Sequence, residues 1–219
     1  MHVRVLLFAG LRERLRSDSA TLELPAGATV RDLLAALADV CSTTGRLSEA
    51  QQHLEVALAR PGAPIDAALL HWRQARVRLY NLENERARAD SGRAFAAIGA
   101  AVPRVRAVDF IVTLWTWFIA TAMRLTGIGH GKATGERRQR DRLLHQLHDE
   151  AGRIVYFEMH DLVFAQIALR QLRPAARLGP SGEQARADAL YALLLATLDR
   201  RRLAARVARR ALALAARIA

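Results

Sequence analysis

The sequence predicts a mainly α-helical protein. A short ββα segment comes first, and an α-solenoid of helical hairpins follows it. The composition is 52% hydrophobic but only 5% aromatic, and alanine and leucine dominate it. These residues favour helices over β-sandwiches. Glycine and proline then divide the chain into helical tracts expected near 65–80, 84–100, 104–126, 137–157, 160–178 and 183–198.

Composition also bounds the class of protein. With 219 residues and 25% charged side chains the chain is globular and long enough to bury a core. Cys41 is the only cysteine, so no disulfide framework exists. The short apolar opening runs into Arg12 without a signal-peptide cleavage site. We therefore expect a cytoplasmic protein.

The first residues predict two strands and a helix. Residues 3–9 form a β-branched and apolar run, and residues 21–24 alternate in a way that suits pairing with it. Turn residues follow at 25–27. Thr29 is then a candidate N-cap for a helix that starts at Val30.

These residues resemble the small subunit of molybdopterin synthase and its relative in the thiamine pathway. The runs Val-Arg-Val-Leu-Leu-Phe-Ala (3–9) and Leu-Glu-Leu-Pro-Ala-Gly-Ala-Thr-Val-Arg-Asp-Leu-Leu (22–34) carry the resemblance. It implies a ubiquitin-like β-grasp fold and sulfur carried on a C-terminal Gly-Gly. This chain ends in Arg-Ile-Ala, so we expect the fold element without the sulfur chemistry.

A second pattern begins near residue 30. Small residues and a glycine fall at the spacings of a tetratricopeptide repeat, at Ala38, Gly45, Ala50, Leu54 and Ala57. Small side chains let two antiparallel helices approach closely, and glycine permits the turn between them. A comparable set recurs at the end of the chain, at Ala192, Ala204 and Ala211.

The tract 143–212 resembles the degenerate helical C-terminal tracts of bacterial signalling ATPases and adenylate cyclases, which act as interaction or sensing arms. The two resemblances divide the chain into four predicted parts. These are a β-grasp-like ββα segment (1–39), helical hairpins (40–126), a Gly/Arg-rich linker (127–142) and further hairpins with a basic C-terminal helix (143–219).

Motifs for catalysis or cofactors are weak. The glycine-rich segment 127–135 does not match a phosphate loop. That motif needs Ser or Thr directly after its lysine, and Ala133 follows Lys132 here. His145 and His148 share a helix face, but no second motif completes a metal site. We therefore expect no catalytic residue, no metal and no cofactor.

The run 110–123 contains no charged residue and includes Trp115 and Trp117. It is shorter than the roughly 20 residues of a membrane span. The sequence favours a helix buried on nearly all sides. The alternative is an interfacial or partner-binding surface, for which an exposed tryptophan pair is a natural anchor.

Arginine accumulates in the second half of the chain. Residues 101–219 hold twenty basic and ten acidic residues and so carry most of the net charge of +12. The last helix is expected to place Leu203, Val207, Leu214 and Ile218 on an apolar face. The candidates for contact with phosphate or membrane are Arg137, Arg138, Arg202, Arg206, Arg209 and Arg210.

The sequence thus favours a non-enzymatic helical-repeat scaffold for protein–protein interaction in bacterial signalling or regulation. One helix offers candidate contacts to an acidic peptide or another protein, at Trp72, Arg73, Arg76 and Tyr80. The alternative is a basic module that binds nucleic acid or an anionic membrane surface. A second alternative is a sulfur-carrier relative or a fusion fragment.

Overall fold

The computed structural model describes residues 2–6, 19–23, 27–60, 62–158 and 160–218. As the sequence predicts, the protein is mainly α-helical. The chain divides into two units, Met1–Gly62 and Ala63–Ala219. This division differs from the boundary expected after residue 39, because one helix runs from Val30 to Thr43 across that point.

In its described residues the first unit pairs two antiparallel strands and follows them with two helices. They are β1 (His2–Leu6), β2 (Ser19–Glu23), α1 (Val30–Thr43) and α2 (Leu47–Leu58). The strand register pairs Val3 with Leu22. The identification of this segment as a β-grasp-like ββα unit stays a prediction.

Local sequence explains where α1 begins and where the chain turns into α2. Thr29 caps α1: its hydroxyl accepts a hydrogen bond from the backbone N–H of Asp32, whose carboxylate accepts one from the Thr29 N–H in return. Gly45 adopts a left-handed φ of 78° between α1 and α2. Ala38 and Ala50 are buried in the resulting hairpin, which is the packing that the small residues predict.

The second unit is helical throughout its described residues. Its elements are α3 (Pro64–Tyr80), α4 (Asn84–Ala97), α5 (Ala107–Thr126), α6 (Gly135–Phe157), α7 (Asp161–Arg170), α8 (Leu172–Leu178), α9 (Gly182–Thr197) and α10 (Arg201–Ile218). Residues 135–142, expected as linker, belong to α6. The tract expected as one helix over 160–178 is divided at Gln171, because Pro174 has no N–H to bond the carbonyl of Arg170.

The main core of the second unit surrounds α6. Leu147 and Val155 of α6 pack with Ala68 of α3, Phe95 of α4 and Ile167 of α7. Leu147 and Ile167 are completely buried. This core joins the hairpin of α3 and α4 to the helices that follow it.

The remaining helices do not all follow a repeat order. α9 and α10 form a hairpin, and α9 packs on α8 and α7. α5, however, makes its main contacts with α7 and α8 rather than with its neighbours in sequence. In a solenoid each repeat contacts its sequence neighbours, so the predicted solenoid is not confirmed, although its hairpins are present.

A truncation of Leu147 tests the main core. Leu147→Ala removes buried methyl groups at the centre of four helices, so we expect it to lower the free energy of unfolding by about 3 kcal/mol. Leu212→Ala on α10 is the matched control, because Leu212 is 70% exposed, and it should change stability by less than about 0.5 kcal/mol. Denaturant unfolding followed by circular dichroism measures both. Equal losses in the two variants would contradict this core.

Candidate docking surface

The most unusual element of the second unit is α5. It contains fourteen consecutive uncharged residues between Asp109 and Arg124. Gly127 ends the helix in a left-handed conformation with φ 72°, and its N–H bonds the carbonyl of Met123. Twenty helical residues give a rod of about 30 Å. Within the described residues it is the one helix long and apolar enough to cross a membrane by length and composition.

The hydroxyl groups of α5 do not make the helix surface polar. The hydroxyls of Thr113, Thr116, Thr121 and Thr126 each donate a hydrogen bond to the carbonyl four residues earlier in the helix. These bonds satisfy the hydroxyl donors within the helix itself. The threonines therefore present mainly their methyl groups to the surroundings.

The first half of α5 turns its polar side inward, toward α7. Arg170 donates to the carboxylate of Asp109 at 2.9 Å and to the hydroxyl of Thr113 at 2.9 Å. It also donates to the backbone carbonyl of Asp109 at 2.8 Å. Gln166, which is buried, donates to the carbonyl of Arg104 just before the helix. One end of α5 is thus fixed by charge-assisted hydrogen bonds.

The second half of α5 is held by apolar packing and an ion pair. Ala120 packs against Leu172 and Ala175 of α8 and Ala187 of α9. One turn later Arg124 pairs with Asp188 of α9 at 2.5 Å, and both side chains are largely removed from solvent. Loss of one partner from a buried ion pair leaves an uncompensated charge, so this pair strongly favours the observed orientation of α5.

The opposite side of α5, here called the α5 outward face, is apolar and exposed. Its members are Val108, Phe110, Ile111, Val112, Leu114, Trp115, Phe118 and Leu125. Trp115 and Phe118 are 61% and 58% exposed, and their rings stack with centroids 6.0 Å apart. Large exposed apolar patches on protein surfaces are typical of interaction sites.

The expectation that residues 110–123 form a buried helix is therefore wrong. Asp109, Thr113, Ala120 and Arg124 lie at helical spacing on one side, and that side meets the rest of the unit. Most of the large apolar residues between them then face solvent. Of the expected tryptophan pair, only Trp115 lies outward, whereas Trp117 packs inward beside Ala120. Helical periodicity places Asp109, Thr113, Ala120 and Arg124 on one side of α5, but it does not show whether the protein covers that side or the other.

Basic residues flank α5 in the sequence. Arg104 and Arg106 are exposed just before the helix, and Lys132 is exposed in the loop after it. Asp109 is the only acidic residue between positions 104 and 135, and Arg170 neutralises it. The charged residues of segment 104–135 that lie outside α5 are therefore all basic.

The residues proposed for binding an acidic peptide do not form an open face. Trp72, Arg73 and Arg76 are half-buried, and Trp72 packs against the main core. The guanidinium of Arg76 lies over the Trp72 ring at 5.1 Å from its centroid, a cation–π contact within the helix. Of the four residues only Tyr80 is exposed. Their proposed role in partner binding stays a prediction.

The candidate phosphate contacts are placed differently. Arg137 and Arg138 are exposed on the first turn of α6, not on a linker. The other candidates are exposed on α10, at Arg202, Arg206, Arg209 and Arg210. The structure therefore places four of the six candidates together on α10. Arg137 and Arg138 lie on a different helix, α6.

The histidine pair of α6 lies in the core. His145 and His148 are buried, and His148 contacts the Phe95 ring edge-on at 5.1 Å between centroids. The Nδ1 atom of His148 lies 2.7 Å from the carbonyl of Leu144. Burial lowers the pKa of both imidazoles to about 4. Among the described residues, no three His, Cys, Asp or Glu side chains are grouped to hold a metal ion.

These histidines predict a loss of stability in acid. Their folded pKa lies below the unfolded value near 6.5, so the unfolded state binds more protons, and stability falls as the pH drops from about 6.5 toward 4. Each fully shifted imidazole contributes about 3 kcal/mol over this window. Burial raises the pKa of Asp90, Asp141 and Glu150, and these groups act in the opposite direction.

A single variant separates the contribution of the buried histidines to the pH dependence of stability from that of the buried acids. Neither ring nitrogen of His145 has a hydrogen-bond partner among the described residues. We expect His145→Leu to keep the stability of the native protein at pH 7 and to lose about 3 kcal/mol less between pH 6.5 and 4. Urea unfolding at a series of pH values measures this. Parallel curves for the two proteins would contradict the assignment.

Comparisons of the chain with protein-family models, with curated proteins and with solved structures find no match. The resemblances to sulfur carriers and to tetratricopeptide tracts therefore remain predictions. The functional assignment depends on the site itself, namely the α5 outward face and the basic residues that flank α5.

Proposed function

We propose that this chain is a non-enzymatic helical interaction module that docks on the surface of an anionic membrane through the α5 outward face. The observation that carries the proposal is the orientation of α5. Its charged residues are paired inside the protein, and its large apolar residues face solvent. A helix that only stabilised the fold would have the reverse arrangement.

An interfacial position suits this helix better than a transmembrane one. To span a bilayer, α5 would have to expose Asp109 and Arg124 to hydrocarbon or give up their partners Arg170 and Asp188. Charged groups inside a bilayer cost several kcal/mol each. With these pairs intact, α5 lies in the plane of the membrane and immerses one side, as amphipathic interfacial helices do.

The apolar and the basic side chains contribute differently to membrane binding. Full burial of one large apolar side chain contributes about 1.5–3 kcal/mol, and the face offers several. A Lys or Arg near an anionic surface contributes about 1 kcal/mol. The apolar residues therefore supply most of the affinity, whereas Arg104, Arg106 and Lys132 supply the preference for anionic lipid. In a cytoplasmic protein this preference directs binding to the inner leaflet.

Vesicle binding tests the proposal. The native protein should bind vesicles of phosphatidylcholine mixed with phosphatidylglycerol more tightly than vesicles of phosphatidylcholine alone, with a blue shift of Trp115 fluorescence. Ile111→Glu/Phe118→Glu keeps this reporter but places two charges on the face. We expect it to weaken binding by a factor of at least about 10, a loss of about 1.4 kcal/mol.

The matched control is Val56→Glu/Leu198→Glu, which places the same charges at two exposed apolar positions outside α5. It should bind vesicles like the native protein. Circular dichroism should show the same helix content in all three proteins. If the native protein ignores vesicles but assembles with concentration, and Ile111→Glu/Phe118→Glu abolishes that assembly, the face serves a protein partner and the membrane proposal is overturned.

A further inference from the structure

The last helix presents a second charged surface that membrane docking by α5 does not use. Residues 200–218 contain seven arginines and no acidic residue. Arg201 pairs with Asp199 at 2.8 Å. Six other arginines are exposed and, within the described residues, form no ion pair with an acid. Arg200 precedes the helix, and the remaining five lie on it. We call them the α10 cationic surface, and they are Arg202, Arg206, Arg209, Arg210 and Arg217.

The positions of these five arginines place them on one side of the helix. At 3.6 residues per turn they fall within an arc of about 100°, and they span about 22 Å along the axis. Arg202, Arg206 and Arg209 follow one another at roughly one helical turn, Arg210 is adjacent to Arg209, and Arg217 lies about two turns further on. A row of guanidinium groups on this spacing offers bidentate contacts to successive phosphates.

The apolar side of α10 is partly covered by the protein itself. Ala204, Ala211 and Leu214 are buried in the hairpin with α9. Leu203 and Ile218, which the sequence places on the same apolar face, are nearly half exposed, at 43% and 46%. An amphipathic helix binds lipid by immersing its apolar face, whereas Leu214, at the centre of that face, is already buried against α9 together with Ala204 and Ala211.

We propose that the α10 cationic surface binds the phosphate backbone of double-stranded nucleic acid without regard to sequence. A duplex offers one negative charge per about 1.7 Å of its axis, so its phosphates can pair with all five arginines. α10 contains no aromatic residue, which removes the stacking that single strands require. Phosphate contacts position a protein but carry no base information.

Fluorescence anisotropy with labelled duplexes tests this site. The native protein should bind two duplexes of unrelated sequence and equal length with the same affinity. The logarithm of the association constant should fall with the logarithm of salt concentration with a slope of about −4 to −5, as five phosphate contacts require. A slope near zero, or strong preference for one sequence, would overturn the proposal.

Two variants with the same change in charge locate the site. Arg202→Gln/Arg206→Gln/Arg209→Gln should reduce the magnitude of the salt slope by about 3 and weaken duplex binding at low salt by at least about tenfold. Glutamine keeps a similar helix propensity. Arg104→Gln/Arg106→Gln/Lys132→Gln should leave duplex binding unchanged, because these residues border α5.

The same variants distinguish nucleic acid from lipid. The α10 variant should bind anionic vesicles like the native protein, and the α5-border variant should lose its preference for anionic over neutral vesicles. If the native protein binds no duplex and the α10 variant loses vesicle binding, the α10 cationic surface contacts lipid headgroups and the proposal fails. The membrane proposal is judged separately by Ile111→Glu/Phe118→Glu.

Discussion

The ion pairs that join α5 to the helices beneath it are the constraint on which the exposed surface of the second unit depends. Arg170 with Asp109, and Arg124 with Asp188, hold both ends of the helix against α7, α8 and α9. Such pairs add little net stability over apolar residues of the same shape, but a rotated helix would leave their charges buried and unpaired. The two pairs therefore specify the orientation of α5, and this orientation leaves the apolar side of α5 exposed to solvent.

The same pairing of buried acids with arginines recurs in the second unit. Asp90, Asp141 and Asp188 are all buried, and each lies beside an arginine: Arg78 at 2.5 Å, Arg177 at 3.2 Å and Arg124 at 2.5 Å, respectively. Each of these pairs covers one acid together with its base, so the net charge of +12 is unchanged by their burial. That net charge favours anionic partners.

Small side chains in the hairpins complete this arrangement. Alanines are buried along each hairpin, for example Ala38 and Ala50 in the first unit and Ala87 and Ala211 in the second. They permit close approach of helix backbones, so that the hairpins gain dispersion contacts although each alanine buries little area. Large apolar residues such as Leu147 and Phe95 lie in the core around α6. Others lie on the outward side of α5.

Much of the helical framework could be predicted from local sequence. The Thr29 cap, the Gly45 turn and the helix limits near Tyr80 and Thr126 depend on interactions within a few residues. The division at Gln171 was missed although Pro174 signals it. The positions of the arginines on α10 were also available from sequence, because helical periodicity alone places them on one side.

The sequence by itself determined the helical class, the hairpins and the uneven charge of this protein, because these follow from propensity, turn chemistry and composition. Only the tertiary structure decided which side of α5 is covered. An uncharged run of fourteen residues is equally compatible with a core helix and a docking helix. The choice depends on Asp109 and Arg124 finding Arg170 and Asp188, some sixty residues away in the chain, and no local pattern encodes those partners.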